Sequence, residues 1–461
     1  MSQKRLTPGD GMFLYMETPE TMMHVAGLLP FTPPPDAPPD HVRSLMNEIQ
    51  EAPVHPPWNR KLSTPEVLLN PLQAWVEDPN VDLEAHVRRS ALPSPGDERE
   101  LGVLVQRLHE QPMDFRRPPW ELHLIEGLEG GRFAMYAKVH HALVDGYTAM
   151  RLLARSLSTD PNERDQPLFY SVPPKPRERP EPEPAALHFP ELMAAVRAQY
   201  GSAVSFAKAF MNMARATTRP GDSELVTPLS APKCILNAKI GRGRRFATQK
   251  LDIARLKAVG KAAGGTLNDV ILALSSASLR RYLLDRNALP AAPLVAMAPV
   301  NIRPKDDAGG GNAVGAILAS LATNVADPAE RLAAIIASTK SAKEQLQGMS
   351  KAAILQYSAL LVAPFMLQLI PGAAGRVPPA FNLVISNVPG PEEPLYFRGA
   401  RLEASYPVSI PVHGMALNIT CNSYAGSMNF GFIGCRDTLP KLQRLAVYCG
   451  EALCELEKAV L

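Results

Sequence analysis

Ala137-Lys138-Val139-His140-His141-Ala142-Leu143-Val144-Asp145-Gly146 is the stretch on which the reading of this chain turns. Ahead of it, Phe133, Met135, Ala137 and Val139 recur at every second position, the spacing of one face of a strand. Behind it, Met150, Leu153, Ala154 and Leu157 stand at i, i+3, i+4 and i+7, the spacing of a helix face. The pattern predicts a strand running through two histidines into a helix. Polar, ionisable residues at a strand-to-helix junction are where α/β folds usually place chemistry. A histidine there titrates near neutrality and can take a proton from an alcohol. Asp145, four residues on, has three possible uses: fixing the loop, capping the helix or orienting an imidazole.

Three readings of the histidine pair compete on residues alone. Both could be satisfied loop residues. They could bind a metal, but adjacent residues on an extended segment point to opposite faces, no third ligand stands at a helical spacing, and His-Glu-x-x-His is absent. The third reading is one general-base histidine with its neighbour packed in support. No metal and no cofactor is expected. The usual rival motifs leave no trace either: there is no Gly-x-Ser-x-Gly elbow, no Gly-x-x-x-x-Gly-Lys-Ser/Thr phosphate loop and no strand-linked Gly-x-Gly-x-x-Gly. A lone base without a nucleophile motif suits direct transfer between two bound substrates.

Outward from the motif, the chain reads as two α/β halves. In the first, strands are predicted at Met22 to Pro30 and Phe133 to Val139, and helices at His41 to Gln50 and Glu98 to Glu110. In the second, strands are predicted at Phe246 to Leu251, Leu294 to Ile302 and Asn382 to Ser386. A hairpin follows, Met415 to Ser423 and Met428 to Ile433, turning through Tyr424-Ala425-Gly426-Ser427. Helices are predicted at Ile253 to Ala263, Leu267 to Leu284, Pro328 to Leu346 and Leu439 to Lys458. Between the halves, Pro161, Pro167, Pro173, Pro174, Pro176, Pro180, Pro182 and Pro184 stand among charged residues, a density that helices and central strands do not tolerate. The division is therefore 1–160, a proline-rich connector with one helix (about Phe189 to Ala214) at 161–235, and 236–461. Two such halves leave a cleft or tunnel between them, a common place for ligands.

Composition sets the outer bounds. The 461 residues exceed one compact domain. Hydrophobic residues make up 46% and charged residues 20%, which excludes a disordered chain. With 48 basic against 45 acidic residues, the net charge of +3 does not point to nucleic acid. Five cysteines without a Cys-x-x-Cys pair make no disulfide scaffold and no structural zinc site, so a cytoplasmic setting is expected. No signal peptide or transmembrane anchor is expected: the longest run free of polar side chains in the apolar stretch Ala352 to Ile370 is Ala359 to Leu367.

His140-His141-x-x-x-Asp145-Gly146 resembles the His-His-x-x-x-Asp-Gly signature of the bacterial wax ester synthase/diacylglycerol acyltransferase family. That family lies in the superfamily of coenzyme A-dependent acyltransferases related to chloramphenicol acetyltransferase. Other blocks resemble it too: Leu6-Thr7-Pro8 through Met16-Glu17-Thr18-Pro19 to Met23-His24-Val25, and Arg117-Pro118-Pro119-Trp120-Glu121-Leu122-His123, where the family more often has Pro-Leu-Trp. So do Thr266-Leu267-Asn268-Asp269-Val270, Pro299-Val300-Asn301-Ile302-Arg303, Gly311-Asn312, Ser386-Asn387-Val388-Pro389-Gly390-Pro391 and Gly414-Met415-Ala416-Leu417-Asn418. The resemblance covers the chain except about 161 to 230. Condensation domains of peptide synthetases resemble the motif as well, but normally sit inside much larger chains.

The resemblance implies two chloramphenicol acetyltransferase-like domains, each a mixed sheet with helices, around an active-site tunnel. It implies transfer of a fatty acyl group from acyl-CoA to diacylglycerol or a long-chain alcohol, with His141 as general base and His140 as its supporting neighbour. Asp145 is implied as a structural aspartate with Arg303 as candidate partner, and Gly146 as the residue allowing the tight turn into the helix. Asn268, at a helix start, is a candidate for stabilising the oxyanion; the alternative is a cap supplied by Thr266 with Asn268 merely in the first turn. Asp269 reads as a helix-start charge. Arg242, Arg244 and Arg245 are candidates for the phosphates of coenzyme A, against the reading of a solvated charged face. Peripheral contact with a membrane or lipid inclusion is expected through Phe189 to Ala214 and Leu360 to Ile370. A monomer and a homodimer both fit. The alternatives are a related acyltransferase with another acceptor and a non-catalytic lipid- or acyl-CoA-binding protein.

Overall fold

The computed structural model describes residues 3–6, 8–68, 70, 72–144, 152–173, 226, 230–301, 314–346 and 379–461. Among these, the strands are β1 (Gln3–Arg5), β2 (His24–Thr32), β3 (Arg60–Leu62), β4 (Ala74–Glu77), β5 (Val87–Ala91), β6 (Trp120–Leu128), β7 (Arg132–His140), β8 (Arg244–Asp252), β9 (Val295–Asn301), β10 (Val314–Ser320), β11 (Leu383–Val388), β12 (Tyr396–Phe397), β13 (Ala400–Leu402), β14 (Tyr406–Val408), β15 (Leu417–Tyr424) and β16 (Ser427–Cys435). The α-helices are α1 (Pro8–Met16), α2 (His41–Glu51), α3 (Leu83–His86), α4 (Glu98–His109), α5 (Ile253–Ala262), α6 (Leu267–Leu284), α7 (Pro328–Leu346) and α8 (Arg444–Val460).

The predicted strand before the motif is β7, and its alternation builds two interiors at once. Phe133, Met135 and Val139 enter one apolar cluster with Leu29, Phe31 and Trp120. Ala134 and Tyr136, on the other face, pack with Leu101 and Val105 of α4. Antiparallel pairing with β2 sets Phe31 opposite Phe133 and His24 opposite His140. β6 flanks the other edge, with Glu121 opposite Lys138. The strand order β12-β13-β2-β7-β6-β5, with β14 also on β2, puts the motif strand inside the sheet. That is a rigid place from which to present a side chain.

The second sheet runs β10-β9-β11-β15-β16-β8 and is mixed: β11 lies parallel to both β9 and β15, and the other neighbours are antiparallel. The predicted hairpin is β15–β16. Its two turn residues, Ala425 (φ 43°) and Gly426 (φ 77°), both take the left-handed region that a two-residue hairpin loop of this hand requires. Behind this sheet, α6 buries Val270, Ile271, Leu274, Leu279 and Leu283 among others, as befits a helix covered on most sides. A three-stranded sheet, β1-β4-β3, stands beside α1 at the chain start.

The two halves exchange structure. β12, β13 and β14 come from within 236–461, yet they extend the first sheet, with Leu402 opposite Phe31 and Val408 opposite Ala26. Phe246 and Ile433 of the second sheet join the cluster around Tyr136 and Val105. The start of the connector is likewise not a free strap. Residues 161–173 form neither helix nor strand, as their prolines dictate, but Leu168, Phe169 and Tyr170 are buried. Tyr170 stacks on Trp120 at 5.0 Å, its carbonyl accepts the His55 N–H at 2.8 Å, and its hydroxyl donates to the Ile49 carbonyl. An aromatic cluster with Trp58 thus anchors the chain as it leaves the first half. The helix predicted at Phe189 to Ala214 and the apolar stretch Leu360 to Ile370 lie outside the described residues.

Candidate active site

His140 closes β7, and His141 is the first residue of the turn that follows. His140 is fully buried. Its Nδ1 accepts the Ala142 N–H at 3.1 Å. A ring nitrogen that accepts carries no proton, so the neutral ring has its proton on Nε2, which faces Glu17 Oε2 at 3.4 Å. Phe115 meets the ring edge-on at 5.0 Å. His141 is half-buried and faces differently. Its backbone N–H donates to the Met23 carbonyl at 2.8 Å, and its ring stacks on Phe13 at 4.0 Å and 18°. Met23 belongs to the second half's main apolar cluster, and Phe13 packs against it. His141 is therefore held where the first sheet meets the core of the second. The two histidines diverge, as adjacent residues on a strand must, and among the described residues no group of three His, Cys, Asp or Glu is arranged to hold a metal.

A buried polar layer continues behind His140 on the same face of the sheet. Lys138, with no exposed side-chain surface, meets Glu121 at 3.0 Å and donates to the carbonyls of Leu108 and Gln111 at 3.1 Å each. Burial pushes the Glu121 carboxyl up, but the hydrogen bond from His123 and the Lys138 ammonium outweigh it and hold Glu121 at about 2. Burial pulls Lys138 down against the opposing field of Glu121. His109 is pushed down to about 3, first by burial and then by Lys138 and Arg244. It stays neutral, with Nδ1 2.8 Å from the Tyr136 hydroxyl and Nε2 3.1 Å from the Ser409 carbonyl. His24 is displaced well downward for the same first reason and sits 2.8 Å from the His109 carbonyl.

The family models resolve what this geometry belongs to. Residues 6–271 match the wax ester synthase/diacylglycerol acyltransferase catalytic domain, and residues 310–457 match the C-terminal domain of the same family. The chain belongs to that family. A Mycobacterium tuberculosis protein assigned as a diacylglycerol O-acyltransferase is 52% identical over 490 residues, covering 100% of this chain and 98% of the relative. The solved wax ester synthase/diacylglycerol acyltransferase from Marinobacter aquaeolei VT8 superposes with a TM-score of 0.81 at 40% identity, covering 99% of this chain and 100% of that one. The first condensation domain of the CDA synthetase, at 16% identity and a TM-score of 0.56, shares the fold, over 100% of this chain and 97% of that one.

Within this family member, the expected site residues other than the arginines fall into three groups. His140 and His141 come together with Glu17, Phe13 and Met23. Asn268 and Asp269 stand in the first turn of α6, in the other half. Thr266 caps that helix, and Asp269 completes the box: its Oδ2 accepts the Thr266 N–H at 2.7 Å while Oδ1 accepts the Thr339 hydroxyl at 2.6 Å. Asp269 thus joins α6 to α7, and the half-buried Asn268 amide is not needed for the cap. Asp145, Gly146 and Arg303 lie outside the described residues.

Of the three candidate arginines, Arg244 needs correction. Arg244, offered as a phosphate ligand, is 1% exposed. Its guanidinium donates to the carbonyls of Gly241 at 2.7 Å and Arg242 at 3.1 Å, and to that of Glu20. Its backbone N–H donates to Glu110 Oε2 at 3.2 Å, and burial lowers it to about 10. It braces the second half against the first and cannot reach a solvent-borne phosphate. Arg242 is exposed but tied to the same helix end, through the Glu110 carbonyl and Gln111 Oε1, both at 2.9 Å. Arg245, next to them on β8, is half-buried.

Residue-level reading missed Glu17, Phe13 and Met23 as parts of the site. The opening block that contains them was read as one of the resemblance, and their contact with the histidines spans more than a hundred residues. A cleft between the halves was expected, but not the lining of the apolar cavity of about 190 Å³ found there. Leu29, Leu153 and Leu157 line it from the first half, and Pro389, Gly390 and Tyr424 from the second.

Proposed function

We propose that the protein transfers a long-chain acyl group from acyl-CoA to a lipid hydroxyl, with His141 as general base. The observation that carries this is the fixed presentation of His141 where the two halves meet, its backbone N–H bound to the Met23 carbonyl and its ring stacked on Phe13. In the transfer, the acceptor hydroxyl attacks the thioester carbonyl as His141 takes its proton. The tetrahedral oxyanion collapses, the C–S bond breaks and the thiolate is reprotonated, giving ester and free coenzyme A. The His141 Nδ1 is enclosed by protein, which favours Nε2 as the working nitrogen. A thiolate leaves far more readily than an alkoxide, so no acyl-enzyme and no cofactor is required. The Asn268 amide, left over by the cap, is suited to the oxyanion.

The relatives' names give diacylglycerol as acceptor and a wax ester as product; a wax ester is the ester of a long-chain alcohol, and both acceptors present a primary or secondary hydroxyl on an apolar body. The cavity lined by Leu29, Leu153, Leu157 and Pro389 suits part of such a body. Among the described residues no helix is long and apolar enough to cross a membrane. Substrates of this kind reside in lipid, so the enzyme would work at a membrane or lipid-inclusion surface from the cytoplasmic side. The test is product analysis with palmitoyl-CoA and either 1-hexadecanol or dioleoylglycerol. One ester formed per thiol released, with at least one acceptor, is the expected result. Thiol release without ester would make the protein a thioesterase, and no release from folded, acyl-CoA-binding protein would leave a binding role.

A further inference from the structure

Glu17 stands just after α1, with its side chain 7% exposed. It has no place in the chemistry described above, yet its Oε2 makes two contacts that both lead to the histidines. It accepts the Met23 N–H at 2.5 Å and faces His140 Nε2 at 3.4 Å. The carbonyl of Met23 takes the N–H of His141 at 2.8 Å. Nδ1 of His140 takes the N–H of Ala142 at 3.1 Å. The links close a ring: Glu17 to Met23, Met23 to His141, His141 to Ala142 along the chain, Ala142 to His140, and His140 back to Glu17. The backbone N–H groups of His141 and of the residue after it are thus both held by groups that Glu17 orients.

Which ring nitrogen of a histidine carries the proton is set by what the other one meets. His140 can accept from Ala142 at Nδ1 only while its proton sits on Nε2, and a buried carboxylate oxygen facing Nε2 favours that tautomer. The opposite tautomer would set two N–H groups against each other at the turn and leave the Ala142 N–H buried without an acceptor. We infer that Glu17 is a positioning residue: it locks His140 in the Nε2–H tautomer and thereby fixes the turn that presents His141. This rests on His141 as the reacting group, but its structural half does not depend on turnover.

The experiment therefore has two readouts on Glu17→Ala, Glu17→Gln and the parent protein. The first is ¹⁵N spectroscopy of histidine-labelled protein near neutral pH, with the His140 signals assigned by their loss in His140→Gln. The parent is expected to show one protonated Nε2 and one unprotonated Nδ1 for His140, and Glu17→Gln, which keeps an oxygen acceptor, should preserve that pattern. Glu17→Ala should lose the single tautomer. The second readout is steady-state transfer. Misplacement of a reacting group on the ångström scale costs about 100-fold, so kcat in Glu17→Ala should fall by about 10- to 100-fold with KM little changed, and Glu17→Gln should recover most of it. An unchanged His140 tautomer in Glu17→Ala overturns the inference whatever the rate, as does a kcat within about threefold of the parent when the tautomer is lost. If Glu17→Ala does not fold, Glu17→Asp replaces it: one methylene shorter, it cannot reach both Met23 and His140, and retention of both the parent tautomer and the parent kcat overturns the inference. A parent protein that releases no thiol sinks the proposed function, while the spectra still decide the tautomer.

Discussion

Lys138 and Glu121 show what the site region costs to keep together. A fully buried ammonium 3.0 Å from a carboxylate at about 2 is held by that partner and by two carbonyls. Removing one partner strands the other charge, which typically costs about 3 to 5 kcal/mol. Lys138→Met should therefore lower the unfolding free energy by about that much in a denaturant titration, since Glu121 loses its cation. Lys138→Met combined with Glu121→Gln should recover a large part of the loss, because no charge then stays buried alone. A double variant no more stable than Lys138→Met would show that the carbonyl contacts of Lys138, not its charge, carry the effect. Little of this layer was legible in the sequence. Tyr136, Lys138 and His140 alternate with apolar residues on β7, a pattern that reads equally as a solvent-facing side. Only the packing of α4 and β8 over that face makes it interior.

At the scale of elements, α6 brings together a residue suited to chemistry and one that maintains structure, one position apart. Thr266 and Asp269 make the capping box, and Asp269 also accepts from Thr339 of α7. Asp269→Ala should cost about 1 to 2 kcal/mol of stability through the lost cap, read from the denaturation midpoint. Asn268→Ala should leave that midpoint in place and lower kcat by about 100- to 1,000-fold, the usual effect of removing one oxyanion donor. If Asn268→Ala instead lowers stability and leaves kcat alone, Asn268 is a helix-start residue and the oxyanion is stabilised elsewhere. The bounds of α6 and α7 coincide with those read from the sequence, because Thr-x-x-Asp and Pro mark their starts and their apolar residues keep step. β12, β13 and β14 were not legible. They are two or three residues long, one contains Pro407, and β13 and β14 are strands because of β2, more than 360 residues away, with β12 in turn pairing on β13. Short non-local strands carry no periodicity for a local reading to find.

For the whole molecule, the strand exchange and the Arg244 brace make the halves one structure, and its buried and half-buried histidines tie its stability to pH. His24, His41, His86, His109 and His413 are all displaced downward, each first by burial. Each takes up a proton less readily in the folded protein than in the unfolded chain, whose histidines titrate at about 6.5. The unfolded state then binds more protons, so stability is fully present above about 6.5 and falls as pH drops toward the folded values. For a group as deeply buried as His109 the slope is about 1.4 kcal/mol per pH unit. Glu121 adds its own loss only below the ordinary carboxylate range, as pH falls toward about 2. Thermal melting should accordingly weaken from pH 7.5 to 5.5, and His109→Gln should flatten that slope; a slope unchanged in His109→Gln would place the dependence elsewhere.

Direct transfer between two lipid substrates depends on His141 as the base. The most direct test is free-thiol release from palmitoyl-CoA with and without acceptor, for the parent protein and for His141→Ala shown to be folded by its melting curve. Acceptor-dependent release in the parent, reduced by about 100- to 10,000-fold in His141→Ala, is the predicted result for loss of a general base. Release of one thiol per enzyme without acceptor, or a His141→Ala protein that keeps acceptor-dependent turnover, would contradict it.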